Sequence, residues 1–409
     1  MSDNIELDVH ITAKYYVKRR IGKGAYGIVW KAIDKKSKIE VALKKIFDAF
    51  QNKTDAQRTY REIFYLQRFI DHPNIVKLIN IHRSINSNDI YLVFEYMEID
   101  LHKVIRRGNV LKDIHNRFIL YQILRAIAYI HSANVIHRDL KPANILLNSQ
   151  CLCKVADFGL ARSVMEENSS TEERYDPSLT DYIATRWYRA PEILVASKMY
   201  QKGVDMWSIG CILAELLIGR PLFPGSSTIH QIELIVSTVP PASEADIKAI
   251  STGYGKSLLQ KFTFKNHNLN KKLKNIDDDA YDLLSKLLVF NPRNRISSAE
   301  ALKHQYIKMF FDDEDFTTAF PMQPVLRDDI QLPVDEYRRK LYEIMPTDEL
   351  FNSSRSINYT QKSCGNFTKR NSIQNYRPPH KNYKLRNDTI GSTNCSLMKS
   401  NYQSSQRVF

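Results

Sequence analysis

Apolar positions change their rhythm along this chain of 409 residues. In the first hundred they form short β-favouring runs, Ile28-Val29-Trp30 and Val41-Ala42-Leu43-Lys44, in a strand-rich half that ends near Phe94-Glu95-Tyr96-Met97. Within this half, the stretch from Thr54 carries Ile63, Leu66 and Ile70 at helical spacing, and Thr54 with Gln57 predicts a capping box at its start. From about Asp100 onward the rhythm is helical, with Ile119, Ile123, Ile127 and Ile130 marking the inner stripe of a core helix. The most apolar stretch, Val204 to Ile218, contains Asp205 and Glu215 and is too short to span a bilayer. It predicts a buried helix stopped by Gly219. From Ser353 the periodicity ends and Ser, Asn, Tyr and Lys dominate, which predicts a disordered tail.

Composition adds a division of charge. The net charge is +14, and residues 353–409 hold ten Lys or Arg against the single acid Asp388, so +9 lies in the tail and +5 in the first 352 residues. The high isoelectric point therefore says little about the domain. The tail suits acidic partners such as nucleic acid, anionic membrane or tubulin-like surfaces, although dispersed basic residues serve solubility as readily. A nucleic-acid-binding protein is disfavoured, because only the tail supports it. The five cysteines, Cys151, Cys153, Cys211, Cys364 and Cys395, are odd in number and lack metal-ligand spacing, and MSDNIELDVH does not resemble a signal peptide. Reduced thiols and an intracellular protein without a transmembrane segment are expected.

Chemistry concentrates at residues 137–144, HRDLKPAN, followed 13 residues later by Asp157-Phe158-Gly159. A transferring γ-phosphoryl group spreads negative charge over several oxygens, so its catalysis needs positioning and cations near the phosphates. Asp139 is placed to orient and deprotonate a substrate hydroxyl, Lys141 to balance charge on the moving group, and Asn144 and Asp157 to ligate Mg2+. His137 reads as a buried structural histidine, since the base is already supplied by Asp139. Upstream, Gly22-Lys23-Gly24-Ala25-Tyr26-Gly27-Ile28-Val29 runs into strands rather than a helix, the setting of a flap over phosphates rather than a dinucleotide site. Lys44 would pair with the α- and β-phosphates, with Glu62 as its carboxylate partner.

These motifs, in this order from about Tyr15 to Ile307, resemble those of the eukaryotic protein kinases, as do Ala190-Pro191-Glu192, Asp205-Met206-Trp207 and Arg295, the partner the resemblance implies for Glu192. Thr180-Asp181-Tyr182 followed by Ala184-Thr185-Arg186-Trp187-Tyr188-Arg189 is similar to the mitogen-activated protein kinases. KKIFDAF, KTDAQRT, YLVFEYM and QLPVDEYRRKLYEIM are similar to their atypical extracellular-signal-regulated group, numbered seven and eight. Two departures are Asp181, where Glu is commonest, and the long polar insert MEENSSTEERYDPS ahead of Thr180.

The resemblance implies an α+β two-lobed kinase fold. Residues 15–307 form the domain, with lobes 15–97 and 98–307, followed by an extension over 308–352 that packs on the domain and the tail 353–409. It implies ATP and Mg2+ as cofactors, with Ile21 and the glycine-rich residues over the nucleotide, Ala42 and Leu146 sandwiching adenine, Met97 as its backbone partner and Asp100 at the ribose. Phe94 would close the pocket behind the adenine. Phosphorylated Thr180 would meet Arg61, Arg138 and Arg162, and phosphorylated Tyr182 would meet Arg186 and Arg189. Expected partners are proteins with Ser/Thr-Pro sites and docking peptides on Asp312, Asp313, Glu314 and Asp315, a run that equally suits a solvated surface. Cytoplasm and nucleus are the expected locations, with cilium or basal body implied by resemblance alone. The leading reading is an active Ser/Thr kinase of the mitogen-activated type, with Thr180 and Tyr182 phosphorylated by the chain itself, a separate activating kinase being the competing source. The competitors are a kinase-fold scaffold, disfavoured by the intact set Lys44, Glu62, Asp139, Asn144 and Asp157, and a cyclin-dependent enzyme, disfavoured by the T-x-Y pair.

Overall fold

Five antiparallel strands, β1 (Tyr15–Gly24), β2 (Gly27–Asp34), β3 (Glu40–Ile46), β4 (Leu78–Arg83) and β5 (Ile90–Glu95), form one sheet in the order β1-β2-β3-β5-β4. The computed structural model describes residues 7–24, 27–164, 186–195, 201–240, 242–250, 258–259, 268–273, 275–313, 317–322, 326 and 330–345. All lie in the first of two units, Met1–Met345, the second being Pro346–Phe409. The period of two along the strands sorts side chains between two cores. Val41 and Leu43 of β3 join Tyr91 and Val93 of β5 in a small cluster with Ile11 of helix α1 (Val9–Lys14). Leu92 and Phe94 of β5 face the main core, against which Ala42 packs.

A polar knot fastens α1 to the sheet. Asp8 accepts hydrogen bonds from Ser84 Oγ (2.6 Å), Ile85 N (2.8 Å) and Tyr91 Oη (3.2 Å). The buried pair Lys45–Asp89 (3.1 Å) lies beside Tyr91.

Helix α2 (Lys53–Arg68) carries Ile63 and Leu66 fully buried, and Ile70 falls just beyond its last turn. Its cap differs from the expected Thr54–Gln57 box. Asn52 is extended and its Oδ1 accepts from Asp55 N at 2.9 Å, a role for which Asn ranks above Thr. Thr54 and Gln57 instead meet the later chain, Thr54 Oγ1 accepting from Gln331 Nε2 (2.8 Å) and Gln57 Nε2 donating to Ile330 O (3.2 Å).

The remainder is mainly helical: β6 (Ile99–Asp100), α3 (Leu101–Arg106), α4 (Asp113–Ser132), the short strands β7 (Val135–Ile136), β8 (Ile145–Leu147), β9 (Cys153–Val155) and β10 (Arg162–Ser163), then α5 (Pro191–Leu194), α6 (Gly203–Ile218) and α7 (Thr228–Val236). Ile119, Ile123, Ile127 and Ile130 of α4 are all fully buried, as their spacing predicts. Helix α6 is buried nearly throughout and ends at Gly219, whose φ of 73° is the left-handed cap glycine adopts at little cost. Arg295 meets buried Glu192 through two bonds of 2.6 and 2.7 Å, a bidentate pair that locks α5 against the loop after Phe290.

The chain returns in two places. Residues 317–322 pass the end of α4, where Ala319 N donates to Ser132 Oγ (2.8 Å) and Met322 N to Ala133 O (2.9 Å). The helix Val334–Ile344 lies on α2, with Tyr337 and Leu341 buried and the Tyr337 ring 5.9 Å from that of Tyr60.

Candidate active site

Lys44 stands on the central strand β3, paired with Val29 on one side and Leu92 on the other. Its Nζ is 2.6 Å from Glu62 Oε1 on α2. Both charges are largely removed from water, so separating them would leave a buried carboxylate uncompensated. The ladder β1–β2 ends with Lys23 opposite Ile28 and Gly24 opposite Gly27, with Ile21 and Gly22 on the same strand. A Cβ on Gly27 would lie 2.1 Å from Lys45 O, so only glycine permits β2 to approach β3 there. Ile28 is fully buried and Val29 half-buried; Ala25 and Tyr26, expected over the phosphates, lie outside the described residues.

Asp205 organises the segment between β7 and β8. From the buried start of α6 its Oδ2 accepts from His137 N (2.8 Å) and His131 Nε2 (2.9 Å), and its Oδ1 from Arg138 N (2.8 Å). Burial alone would raise this carboxyl, but the His131 hydrogen bond and the neighbouring donors outweigh it and hold the group below its ordinary value. Arg138 takes a φ of 70°, a conformation costly for a residue with a side chain, at the position just before Asp139. His137 is fully buried, with Nε2 donating to Ala156 O (3.1 Å) and Nδ1 accepting from Asp139 N (3.3 Å), so both ring nitrogens serve the backbone.

Asp139 receives Lys141 Nζ on Oδ2 at 2.6 Å. Asn144 Nδ2 donates to Asp139 O (2.8 Å) and Oδ2 (3.1 Å), and Asn144 O accepts from Ala156 N (2.9 Å). The segment is thereby tied to the residue preceding Asp157. Asp157 is itself left-handed, φ 66° and ψ 73°, and Phe158 is buried between Phe69 (5.9 Å) and His137 (4.9 Å). Burial pushes the Asp157 carboxyl up, yet Arg58, Lys44 and Lys141 together hold it down at about 2. Arg58 Nη2 lies 3.5 Å from Asp157 Oδ2, and its side chain runs 2.8 Å from where a Cβ on Gly159 would stand.

The donor set fits Mg2+. Asp157 is held ionised, and Asn144, whose amide nitrogen is committed to Asp139, has its side-chain oxygen left for a cation. Two protein oxygens with phosphate and water completing the shell is the usual way this ion is bound at nucleotides. Among the described residues no cluster of three or more His, Cys, Asp or Glu offers a separate metal cage.

Register brings together some of the residues expected around adenine. Ala42 pairs with Phe94 across β3–β5, and Asp100 with Leu146 across β6–β8. Phe94 and Met97 are buried. Asp100 also caps α3, accepting from Lys103 N at 2.9 Å and meeting Lys103 Nζ at 2.8 Å, a duty its sequence did not announce. Of the expected phosphate-reading arginines, Arg61 precedes Glu62 on α2, and Arg162 pairs with Ile136 two residues before Arg138. Arg186 Nη1 donates to Ser226 O (3.2 Å), and Arg189 N closes a turn onto Arg186 O (3.1 Å). Thr180, Tyr182, Glu314 and Asp315 lie outside the described residues; Asp312 and Asp313 are exposed, and Asp313 is 3.7 Å from Lys303. Burial pushes the Cys153 and Cys211 thiols up, so both are inert. No helix among the described residues is long and apolar enough to cross a membrane.

Sequence reading missed Arg58 and the role of Asp205. Arg58 had a signal, for it precedes Glu62 by four residues and shares its helix face. Asp205 was marked only as part of the Asp205-Met206-Trp207 run of the resemblance, and nothing in the sequence showed its role, because its partners are 67 to 74 residues away.

Comparison with known proteins agrees with this geometry. Residues 15–307 match the model of the protein kinase domain. Mitogen-activated protein kinase 15 of Xenopus laevis is 56% identical over 347 residues, covering 83% of this chain and 58% of that protein. Extracellular signal-regulated kinase 7 of Drosophila melanogaster is 49% identical over 361 residues, 88% of this chain and 39% of its own length. Extracellular signal-regulated kinase 2 of Dictyostelium discoideum is 53% identical over 339 residues, 82% and 91% respectively. The chain thus spans a little over half of the Xenopus relative and about two fifths of the Drosophila one. With its sheet, its Lys44–Glu62 pair and its Asp205-anchored loop all inside the matched region, the chain belongs to the protein kinase family, among the mitogen-activated protein kinases.

Proposed function

We propose that this chain is an ATP- and Mg2+-dependent Ser/Thr kinase of the mitogen-activated type, acting on Ser/Thr-Pro sites. The observation that carries the reading is the joint placement of the 2.6 Å Lys44–Glu62 pair and the Asp139–Lys141–Asn144 cluster on one core. Bound ATP with Mg2+ supplies the phosphoryl group and the cation that neutralises it. Lys44, fixed by Glu62, orients the phosphates; Asp139 positions the acceptor hydroxyl and accepts its proton; Lys141, beside it, offsets charge on the transferring oxygens. Asn144 and Asp157 would hold the cation. Arg189, once engaged by phosphorylated Tyr182, shapes the +1 pocket so that a backbone group stays unpaired for residues bearing an amide proton, which favours proline.

Phosphorylation of Thr180 and Tyr182 is assigned to the chain itself. Arg61, Arg138, Arg162, Arg186 and Arg189 supply donors for charge-assisted bonds to the product, and 22 residues separate Asp157 from Thr180. Wild type and Asp157→Ala, made in bacteria, are to be incubated with magnesium ATP and paired Ser-Pro and Ser-Ala peptides, then mapped by mass spectrometry. Turnover favouring Ser-Pro, and loop phosphate only when Asp157 is present, is expected. Turnover surviving in Asp157→Ala would overturn the catalytic reading; an unmodified wild-type loop would overturn self-activation alone.

A further inference from the structure

Each residue of the turn Arg186–Tyr188 is held, from one side or the other. Helix α6, whose Asp205 fixes His137 and Arg138, also donates Ser208 Oγ to Tyr188 O (2.8 Å) and receives Tyr188 Oη on Glu215 at 2.6 Å. The catalytic segment and the turn are thereby registered on one buried helix. From the other side, Arg186 Nη1 donates to Ser226 O (3.2 Å) and Trp187 Nε1 to Gly225 O (3.1 Å).

Joining these two sides is Gln231 on α7, fully buried although it is a polar residue. Its Oε1 accepts from Gly225 N (3.0 Å) and its Nε2 donates to Trp187 O (3.3 Å). A Cβ on Gly225 would lie 2.4 Å from that oxygen, so the segment approaches the amide as closely as a glycine allows. One side chain therefore fixes the spacing between the 225–226 segment and the turn, and the turn delivers Arg189, whose N closes onto Arg186 O. A buried amide bridging two backbones in this way restricts both, since either group left unpaired carries a desolvation cost.

We infer that Gln231 is a positioning residue for +1 specificity: by bridging Gly225 N and Trp187 O it holds the turn that presents Arg189, and so sets the preference for proline after the acceptor. This role rests on the Ser/Thr-Pro reading proposed above. It predicts that losing the amide degrades discrimination between substrates more than nucleotide use, because Lys44, Glu62 and Asp157 are held by other elements.

The test compares full-length wild type with Gln231→Met, which conserves volume and removes both hydrogen bonds, on Ser-Pro and Ser-Ala peptides. The Ser-Pro to Ser-Ala ratio of kcat/KM should fall about tenfold, the rate equivalent of roughly one lost hydrogen bond, with KM for ATP unchanged. Amide exchange over 186–190 should accelerate while that over 137–139 does not. Gln231→Leu, which also removes both hydrogen bonds of the amide, provides a second variant should Gln231→Met fail to fold, and is expected to shift the ratio in the same direction. A wild-type ratio retained by the folded variants overturns the role of Gln231 and leaves the Ser/Thr-Pro reading standing. Equal wild-type rates on the two peptides overturn that reading and this role with it.

Discussion

Asp205 is the residue on which the catalytic segment depends. Its carboxylate is fully buried and receives the His137 and Arg138 amides together with His131 Nε2. Asp205→Ala leaves these donors without their acceptor, and unpaired buried groups cost about 1–3 kcal/mol each, so a loss of about 3 kcal/mol or more is expected in urea unfolding. Activity should fall with it, because Arg138 at φ 70° keeps its conformation only while the surroundings enforce it. The pH dependence has a definite sign. The folded-state carboxyl is held below its ordinary value, so its stabilisation is complete above the unfolded value of about 3.9 and disappears as pH falls below it. The stability gap between wild type and Asp205→Ala should therefore be constant near neutrality and close below about pH 4. A gap that widened on acidification would contradict the assignment.

At the scale of elements, α2 connects the site to the rest of the chain. One face presents Glu62 to Lys44 and Arg58 to Asp157; another receives the helix Val334–Ile344 through Tyr60 and Gln67, whose Nε2 donates to Ile344 O at 3.3 Å, while Gln57 meets Ile330 ahead of that helix. Tyr337→Ala empties a fully buried aromatic site, a change that costs about 3 kcal/mol. Because the lost contact lies on α2, faster amide exchange in 53–68 and reduced kcat should accompany it. Normal exchange in α2 with lowered stability would show that the helix only packs. What the sequence disclosed about these elements follows from range. Ile119 to Ile130 and Val204 to Ile218 were legible because their rhythm is local, and Lys44 with Glu62 because motif order brought them together. The cap of α2 was misplaced because Asn52 and Thr54 carry similar local signals, and tertiary contact with Gln331 occupies Thr54. The roles of Asp205 and Gln231 were invisible, since the partners of Asp205 and one partner of Gln231 are distant in sequence and buried polar side chains leave no periodic trace.

For the whole molecule, the packed unit is larger than the stretch of recognisable motifs. The kinase match covers 15–307, yet Ile11 is fully buried in the outer sheet core, Asp8 bonds three groups there, and Tyr337 and Leu341 complete the covering of α2. Cutting at the match boundaries would uncover apolar surface on both faces of the strand-rich half while leaving every catalytic motif in place. Two fragments, 15–307 and 7–345, make the comparison direct. The longer one should unfold cooperatively with stability close to that of the full chain. The shorter should lose about 5 kcal/mol or more, since Ile11, Tyr337 and Leu341 each carry a buried side chain worth about 1.5–3 kcal/mol. For a domain of marginal stability that is enough to make it aggregate or unfold at ambient temperature. Chemical denaturation of both, with ATP turnover measured in parallel, decides the matter. Equal midpoints would mean that the two flanking segments are passengers on a self-sufficient domain; a shorter fragment that is folded yet inactive would place their contribution in the setting of α2 rather than in stability.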